Sequence, residues 1–301
     1  MKFATYTSAG QQRIGLWRDD GHVLDVRQQA RELLGHELPG DMQSFIEAGR
    51  PALDIVSKVL AQAPQAAWNA KDQVRLNAPI PRPRKNIFCV GRNYVKHIEE
   101  GARARGRPVT FPEVPEFFSK PTSSVIGPDE EILWDPTATQ QLDYEVELAI
   151  VVGTRGKNLT EANALDHVFG YTIVNDVSAR EVQVAHGQWF KGKCMDTFCP
   201  VGPCIVTADE FGSPSGHRVT TRVNGDLRQD SNTDDLLFDC ARILMWLSRG
   251  MTLEPGDIIA TGTPAGVALG MTPPAWLRDG DLCELEIAGI GVLRNKVRKL
   301  D

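Results

Sequence analysis

The chain has no run of 18 apolar residues and no apolar signal core in its opening MKFATYTSAGQQ, so neither a membrane span nor an export signal is expected. It has no CxxC pair. Its six cysteines (Cys89, Cys194, Cys199, Cys204, Cys240 and Cys283) follow no repeated spacing, and most lie inside apolar runs. That pattern fits reduced, buried thiols in a cytoplasmic protein. Clustered positive charge is also missing. The net charge is −6 and the basic residues are scattered, which argues against a nucleic-acid backbone as partner. There is no P-loop and no GxSxG elbow, and the GIG at 289–291 lacks the following helix of a dinucleotide site. Nucleotide binding and serine-triad chemistry are therefore not expected.

What is present is an ordinary globular composition, 42% hydrophobic and 24% charged over 301 residues, enough for one large domain or two smaller ones. Residues 1–76 read as a small N-terminal domain. Short β-like runs at Lys2–Tyr6, Arg13–Trp17 and His22–Val26 precede helical stretches near Met42–Ala48 and Ala52–Ala63. NAPIPRPRKN, residues 77–86, has prolines at 79, 81 and 83; fixed φ angles and missing donors make it an extended linker. Residues 87–301 then form the main domain. Strands are expected at Ile87–Val90, Val146–Val152 and Gly170–Val174, and a closing hairpin in RDGDLCELEIAGIGVLRNKV. Leu236, Leu237, Cys240, Ile243, Leu244 and Leu247 recur at helical spacing, so a helix is expected over 232–247, capped by Ser231, Asn232 or Thr233. Strands in runs with few helices between them indicate an α+β, mainly β, fold.

Four clusters could carry chemistry. In LDYEVELAIVVG, residues 142–153, strand alternation puts Glu145 and Glu147 on one face while Val146, Leu148 and Ile150 take the other. Asp176 ends a second strand-like run, YTIVNDVSAR. Three acids without a neighbouring histidine or cysteine suit a hard cation such as Mg²⁺ or Mn²⁺; the alternative is a solvated strand face. In GRNYVKHIEE, residues 91–100, His97 and Glu100 are three apart, so one helical turn would align them as a base and its orienting carboxylate, or as a plain surface pair. The Gly-, Pro- and Arg-rich segment 101–116 after them reads as a mobile lid. Its Arg103, Arg105 and Arg107 could reach a second carboxylate of a substrate, although solvated lid charges are the more ordinary reading. In KGKCMDTFCPVGP, residues 191–203, Lys191 and Lys193 alternate along an extended run, and a lysine there could stabilise an oxyanion. In ATGTPAGVALG, residues 260–270, backbone amides and the hydroxyls of Thr261 and Thr263 could bind a carboxylate.

GRNYVKHIEE, FFSKPTSSVIGP, LDYEVELAIVVG, YTIVNDVSAREVQ, FKGKCMDTFCPVGP and LEPGDIIATGTPAGV occur in this order. Together, over roughly residues 85–298, they make the chain resemble the fumarylacetoacetate hydrolase family. The resemblance implies a mixed β-sandwich roll preceded by a small α+β N-terminal domain, usually in a homodimer. It implies a divalent metal, commonly Mg²⁺ and sometimes Mn²⁺ or Ca²⁺, held by Glu145, Glu147 and Asp176. It places Lys193 beside that metal, gives Lys191 no counterpart role, and puts Arg180, Gln183 and Thr263 in substrate-binding positions. His97 and Glu100 fall on the water-activating dyad of the hydrolytic members.

The activity expected first is C–C bond hydrolysis of an acylpyruvate or related 1,3-dicarbonyl 2-oxo acid, through an enolate held at the metal. The alternative on the same site is decarboxylation or isomerisation of an oxaloacetate-like or 2-hydroxy-diene-dioate acid, which needs no activated water. A reading from another class is a non-catalytic protein that binds a metal and an oxo acid.

Overall fold

In the computed structural model, which describes residues 1–301 apart from the side chain of Lys71, the chain opens with a hairpin. Its strands are β1 (Lys2–Ser8) and β2 (Gln11–Trp17). The two-residue loop places Ala9 and Gly10 at φ 48° and 73°, the pair of positive angles that matches the twist of a tight hairpin. After β3 (Val23–Asp25) comes α1 (Val26–Leu34). The Asp25 carboxylate accepts from the Gln28 amide at its start, and Gly35, at φ 66°, closes its end. α2 (Met42–Gln62) is kinked where Gly49 leaves the helical region just ahead of Pro51. The two helical stretches expected there are the arms of this kinked helix.

Residues 77–86 contain no helix or strand. Beyond them lie β4 (Ile87–Gly91), α3 (Val95–Ala104), β5 (Glu116–Lys120), β6 (Ile132–Trp134), β7 (Val146–Val152) and β8 (Val168–Asn175). Two short helices, α4 (Arg180–Ala185) and α5 (Phe190–Lys193), lead into β9 (Cys199–Thr207). The rest comprises β10 (Arg218–Val223), β11 (Asp226–Asn232), α6 (Cys240–Leu247), β12 (Ile258–Ala260), β13 (Leu282–Ile287) and β14 (Gly291–Lys299).

Helix α6 is half as long as the apolar spacing suggests. Only 233–235 form a separate turn ahead of it, and Leu236 leaves the helical region, with Tyr94 bridged to it. Asn232 caps that short turn, while Asp239 caps the helix proper through the Arg242 amide. The Asn93 side chain bonds both the amide and the carbonyl of Phe238, so a long-range anchor competes with helical continuation and wins.

Strand residues outnumber helical ones, and the architecture is α+β and mainly β. A 12-stranded sheet runs through β3, β2, β1, β9, β8, β7, β12, β4 and β5, and a 5-stranded sheet runs β11–β10–β13–β14–β6. Because β1 pairs with β9 (Phe3 opposite Ile205), residues on both sides of the proline segment share one sheet. The large sheet is buried on both faces at its centre, and β7 is buried along its whole length. On one face Phe3, Phe45, Ile46 and Val56 pack with Ala149, Val151 and Val174. On the other, Val146, Leu148 and Ile150 meet Leu244, Leu285 and Leu293 from α6 and the smaller sheet. The alternation read from the sequence is therefore present, with protein rather than water on either side. No helix of the structure is long and apolar enough to cross a membrane, and all six cysteines are free.

Candidate active site

The acids of LDYEVE come together where β7 begins and β8 ends. Val146 is paired with Asn175, so Glu145, one residue before β7, faces Asp176, one residue after β8. Two links fix this register: the Asp176 amide donates to the Glu145 carbonyl at 2.9 Å, and the Glu145 amide donates to Asn175 Oδ1 at 3.1 Å. Glu145, Glu147 and Asp176 each present an oxygen within 4.8 Å of the others. Their exposures of 4%, 1% and 0% rule out the solvated-face alternative.

Three buried cations serve this cluster. Lys193 Nζ donates to Glu145 Oε2 and to Asp176 Oδ2, both at 2.6 Å. Arg180 donates from Nη2 to Glu145 Oε1 at 2.6 Å and from Nε to Asp143 Oδ2 at 2.8 Å, while Gln183 accepts from its remaining nitrogen. Lys120, fully buried at the end of β5, donates to Asp176 Oδ1 at 2.5 Å and to the carbonyls of Val177 and Lys193.

Glu147 is different. No lysine or arginine among the described residues forms an ion pair with it, and its contact is the Gly262 amide at 2.8 Å. Burial and the negative charges of Asp176 and Glu145 push its pKa well above the usual carboxylate range. For Glu145 burial acts in the same upward direction, but Arg180 and Lys193 overcome it and hold that carboxyl far below its ordinary value. Burial works against the charge of Lys193, but Asp176 and Glu145 outweigh it and raise its pKa. The site thus has one buried carboxylate that no protein cation pairs with, beside two others, and the ligand atoms all three offer are oxygens. This set fits a hard divalent cation such as Mg²⁺ or Mn²⁺ and does not favour a thiolate- or imidazole-seeking metal.

A cleft of about 460 Å³ opens over these groups, and its walls include His97, Arg105, Arg180, Gln183, Trp189 and Thr263. α3 carries His97 on its cleft-facing side. His97 Nδ1 lies 3.6 Å from Glu100 Oε2, beyond hydrogen-bond reach, and is buried without a partner. Glu100 is fixed from behind: both its oxygens accept from the Gly266 amide, and a Cβ on Gly270 would stand 2.1 Å from its carboxyl.

The 260–270 amides do bind carboxylates, but those of the protein itself. Gly262 serves Glu147, Gly266 serves Glu100, and Ala268 and Leu269 serve Asp143. Thr263 reaches the cleft with its hydroxyl held by Gln229 at 2.8 Å, whereas Thr261 is turned into the sheet onto the Leu148 carbonyl. The 190–193 stretch is a helical turn rather than the extended run expected, which separates the two lysines: Lys191 is exposed and Lys193 is buried at the site. Segment 101–116 begins as the last turn of α3 and becomes irregular only from Arg105 to Pro115.

Sequence reasoning missed Lys120, Asp143 and Gln229. Asp143 had a legible signal, since it continues the i, i+2, i+4 series of Glu145 and Glu147. Lys120 had a weaker one, a lone lysine between an aromatic strand and a proline. Gln229, bonded to Thr221, Thr263 and the Val146 amide, had none.

This fold and this site define a class. The model of the fumarylacetoacetate (FAA) hydrolase C-terminal family matches residues 86–298, and the chain belongs to the fumarylacetoacetate hydrolase family of enzymes. Among its curated relatives is oxaloacetate tautomerase YisK of Bacillus subtilis, 42% identical over 99% of this chain and 100% of that protein. Among solved structures, the fumarylacetoacetate hydrolase of Exiguobacterium antarcticum superposes with a TM-score of 0.83 at 44% identity, covering all of both chains. The maleylpyruvate hydrolase of Sphingobium sp. SYK-6, solved with manganese(II) and pyruvate, gives 0.78 at 31% identity, again covering all of both chains.

Proposed function

We propose that this protein is a divalent-metal-dependent tautomerase that interconverts the enol and keto forms of oxaloacetate or a close 2-oxo dicarboxylate. The observation that carries this reading is the match to the Bacillus tautomerase, which runs the full length of both chains at 42% identity. It puts isomerisation ahead of the C–C hydrolysis that the residues first suggested. Tautomerisation needs one proton moved between a carbon and an oxygen and no attacking water, so the partnerless His97 suffices without a tightly bonded dyad.

Glu145, Glu147 and Asp176 would hold the metal, which when bound supplies Lewis-acid stabilisation of charge on the C2 oxygen. Lys193, clamped between Glu145 and Asp176, adds a fixed positive charge on the cleft floor where that charge develops. Arg180 and Gln183, already oriented by Asp143 and by each other, orient the 2-oxo acid end together with Thr263. His97 takes the C3 proton of the keto form and returns it to oxygen, or the reverse, with Glu100 beside it to favour the transient imidazolium. In this reading the enzyme is a cytoplasmic homodimer, as the family resemblance implies.

The test is an ultraviolet assay that follows decay of the enol of oxaloacetate with Mg²⁺ or Mn²⁺, run beside assays for acylpyruvate cleavage and for CO₂ release. Enol decay well above the uncatalysed rate, with little cleavage, supports the proposal. Rapid acylpyruvate cleavage with enol decay at the background rate restores the hydrolase reading.

A further inference from the structure

α3 does more than carry His97. His97, Gly101 and Arg105 are spaced four apart, so they form one row along the helix, and all three line the cleft. Arg105 is the last residue of the row and holds the helix end, its amide donating to the carbonyls of Gly101 and Ala102. Its guanidinium folds back along the row: a Cβ on Gly101 would lie 3.2 Å from one of its nitrogens. The residue as a whole is exposed while its charged end is turned against the cleft wall.

Two of the other arginines around the cleft are already committed. Arg180 is bound by Asp143 and Glu145, and Arg92 by Glu116 and Thr110. Arg105 has no hydrogen bond or ion pair from its side chain to any described residue, and Arg107, also on the cleft, has none either. Arg103 is absent from the cleft lining. Burial against the wall, then repulsion from Arg180 and Arg107, lowers the pKa of Arg105; an anion at this place would remove that strain. A cation held in a substrate cleft with no protein anion bonded to it is a receptor for an anionic ligand group.

We infer that Arg105, with Arg107 behind it, receives the second carboxylate of the substrate and makes the enzyme selective for 2-oxo dicarboxylates over their monocarboxylate counterparts. The inference rests on the tautomerase reading for the identity of the substrate, but not for the position of the receptor. The 2-oxo acid end lies on the carboxylate and lysine floor, and the row on α3 spans from His97 at the reacting carbon to Arg105 at the far end. Arg105 is thus a specificity residue and takes no part in moving the proton.

The decisive comparison uses oxaloacetate and its C4 methyl ester, which share the reacting carbon and differ at the distal group, a free carboxylate in one and a neutral ester in the other. Oxalate serves as a probe of the metal end alone. With the full-length, Mg²⁺-loaded protein, kcat/KM for the free acid is expected to exceed that for the ester by about tenfold or more, the worth of a charge-assisted hydrogen bond. In Arg105→Gln that preference collapses to about threefold or less while inhibition by oxalate changes less than about twofold; Arg105→Lys keeps part of it. A preference that survives in Arg105→Gln overturns the inference, as does a variant that loses oxalate and the free acid equally. If the wild type turns over neither compound, the tautomerase reading fails. Direct binding of the same acid and ester pair then still decides on Arg105 by the same criterion.

Discussion

The floor and the wall of the cleft are built on opposite principles. On the floor, Asp143, Glu145 and Asp176 are locked to Lys120, Arg180 and Lys193 by contacts that leave each group at most 4% exposed. On the wall, His97 has an orphaned buried nitrogen and Arg105 has no partner. A floor whose charges are paired within the protein keeps a preorganised pattern of charge, onto which the metal and the 2-oxo acid end are received. An unsaturated wall is completed by the ligand. The contrast assigns stability and the charge that holds the metal and the 2-oxo acid end to the floor, and selectivity and proton movement to the wall. Glu147 is the exception that links them, a floor residue without a protein cation.

The comparison breaks most visibly if the floor is cut. Asp176→Ala leaves Lys120 and Lys193 facing each other in a buried site, and loss of one partner from a buried pair costs about 3–5 kcal/mol. Urea unfolding should show a loss of that size together with no measurable turnover; a loss below about 1 kcal/mol would mean that the floor is not the structural keystone described. Next comes His97→Ala. Removing a positioned proton carrier should lower kcat by about 10²–10⁴-fold while the unfolding midpoint stays close to that of the wild type, since the imidazole nitrogen removed has no hydrogen-bond partner to lose. A variant that loses stability in step with activity would place His97 with the floor. The smallest effect belongs to neither region: Asp239→Ala removes the cap of α6 and should cost about 1 kcal/mol with kcat unchanged.

The same contrast explains what could be read in advance. Strand alternation is a local rule, and it placed Glu145 and Glu147 on one face and Val146, Leu148 and Ile150 on the other, as the two cores show. What lies against each face is not local. The sequence reading could not tell a solvated face from one covered by α1, α2 and a second sheet. The partners of the acids come from far away: Lys120 is 56 residues from Asp176 and Lys193 is 48 from Glu145. The residue pattern offered Lys191 and Lys193 alike and only the family resemblance chose Lys193, while Lys120 had no more than a weak local signal. Apolar spacing over 232–247 misjudged the helix for a related reason. Leu236 and Leu237 fit the period, but Asn93 captures Phe238 and starts the helix at Cys240 instead. The wall was legible in part, since the i, i+3 spacing of His97 and Glu100 and the arginines after them suggested a base and a lid. That Arg105 and not Arg103 lines the cleft follows from where α3 ends.

The most direct measurement on the metal site is the melting temperature of the wild type and of Glu147→Gln, each in EDTA and in excess Mg²⁺. Glutamine matches the protonated acid in shape and can still accept from the Gly262 amide, so it keeps the neutral form that burial favours and removes the ionised form that a metal needs. In EDTA the variant should melt at or above the wild type. Mg²⁺ should raise the wild type, because a ligand that binds the folded state stabilises it, and should leave the variant unmoved. A variant several degrees less stable in EDTA, or Mg²⁺ stabilising both proteins alike, would contradict the assignment of Glu147 as the carboxylate kept for the metal.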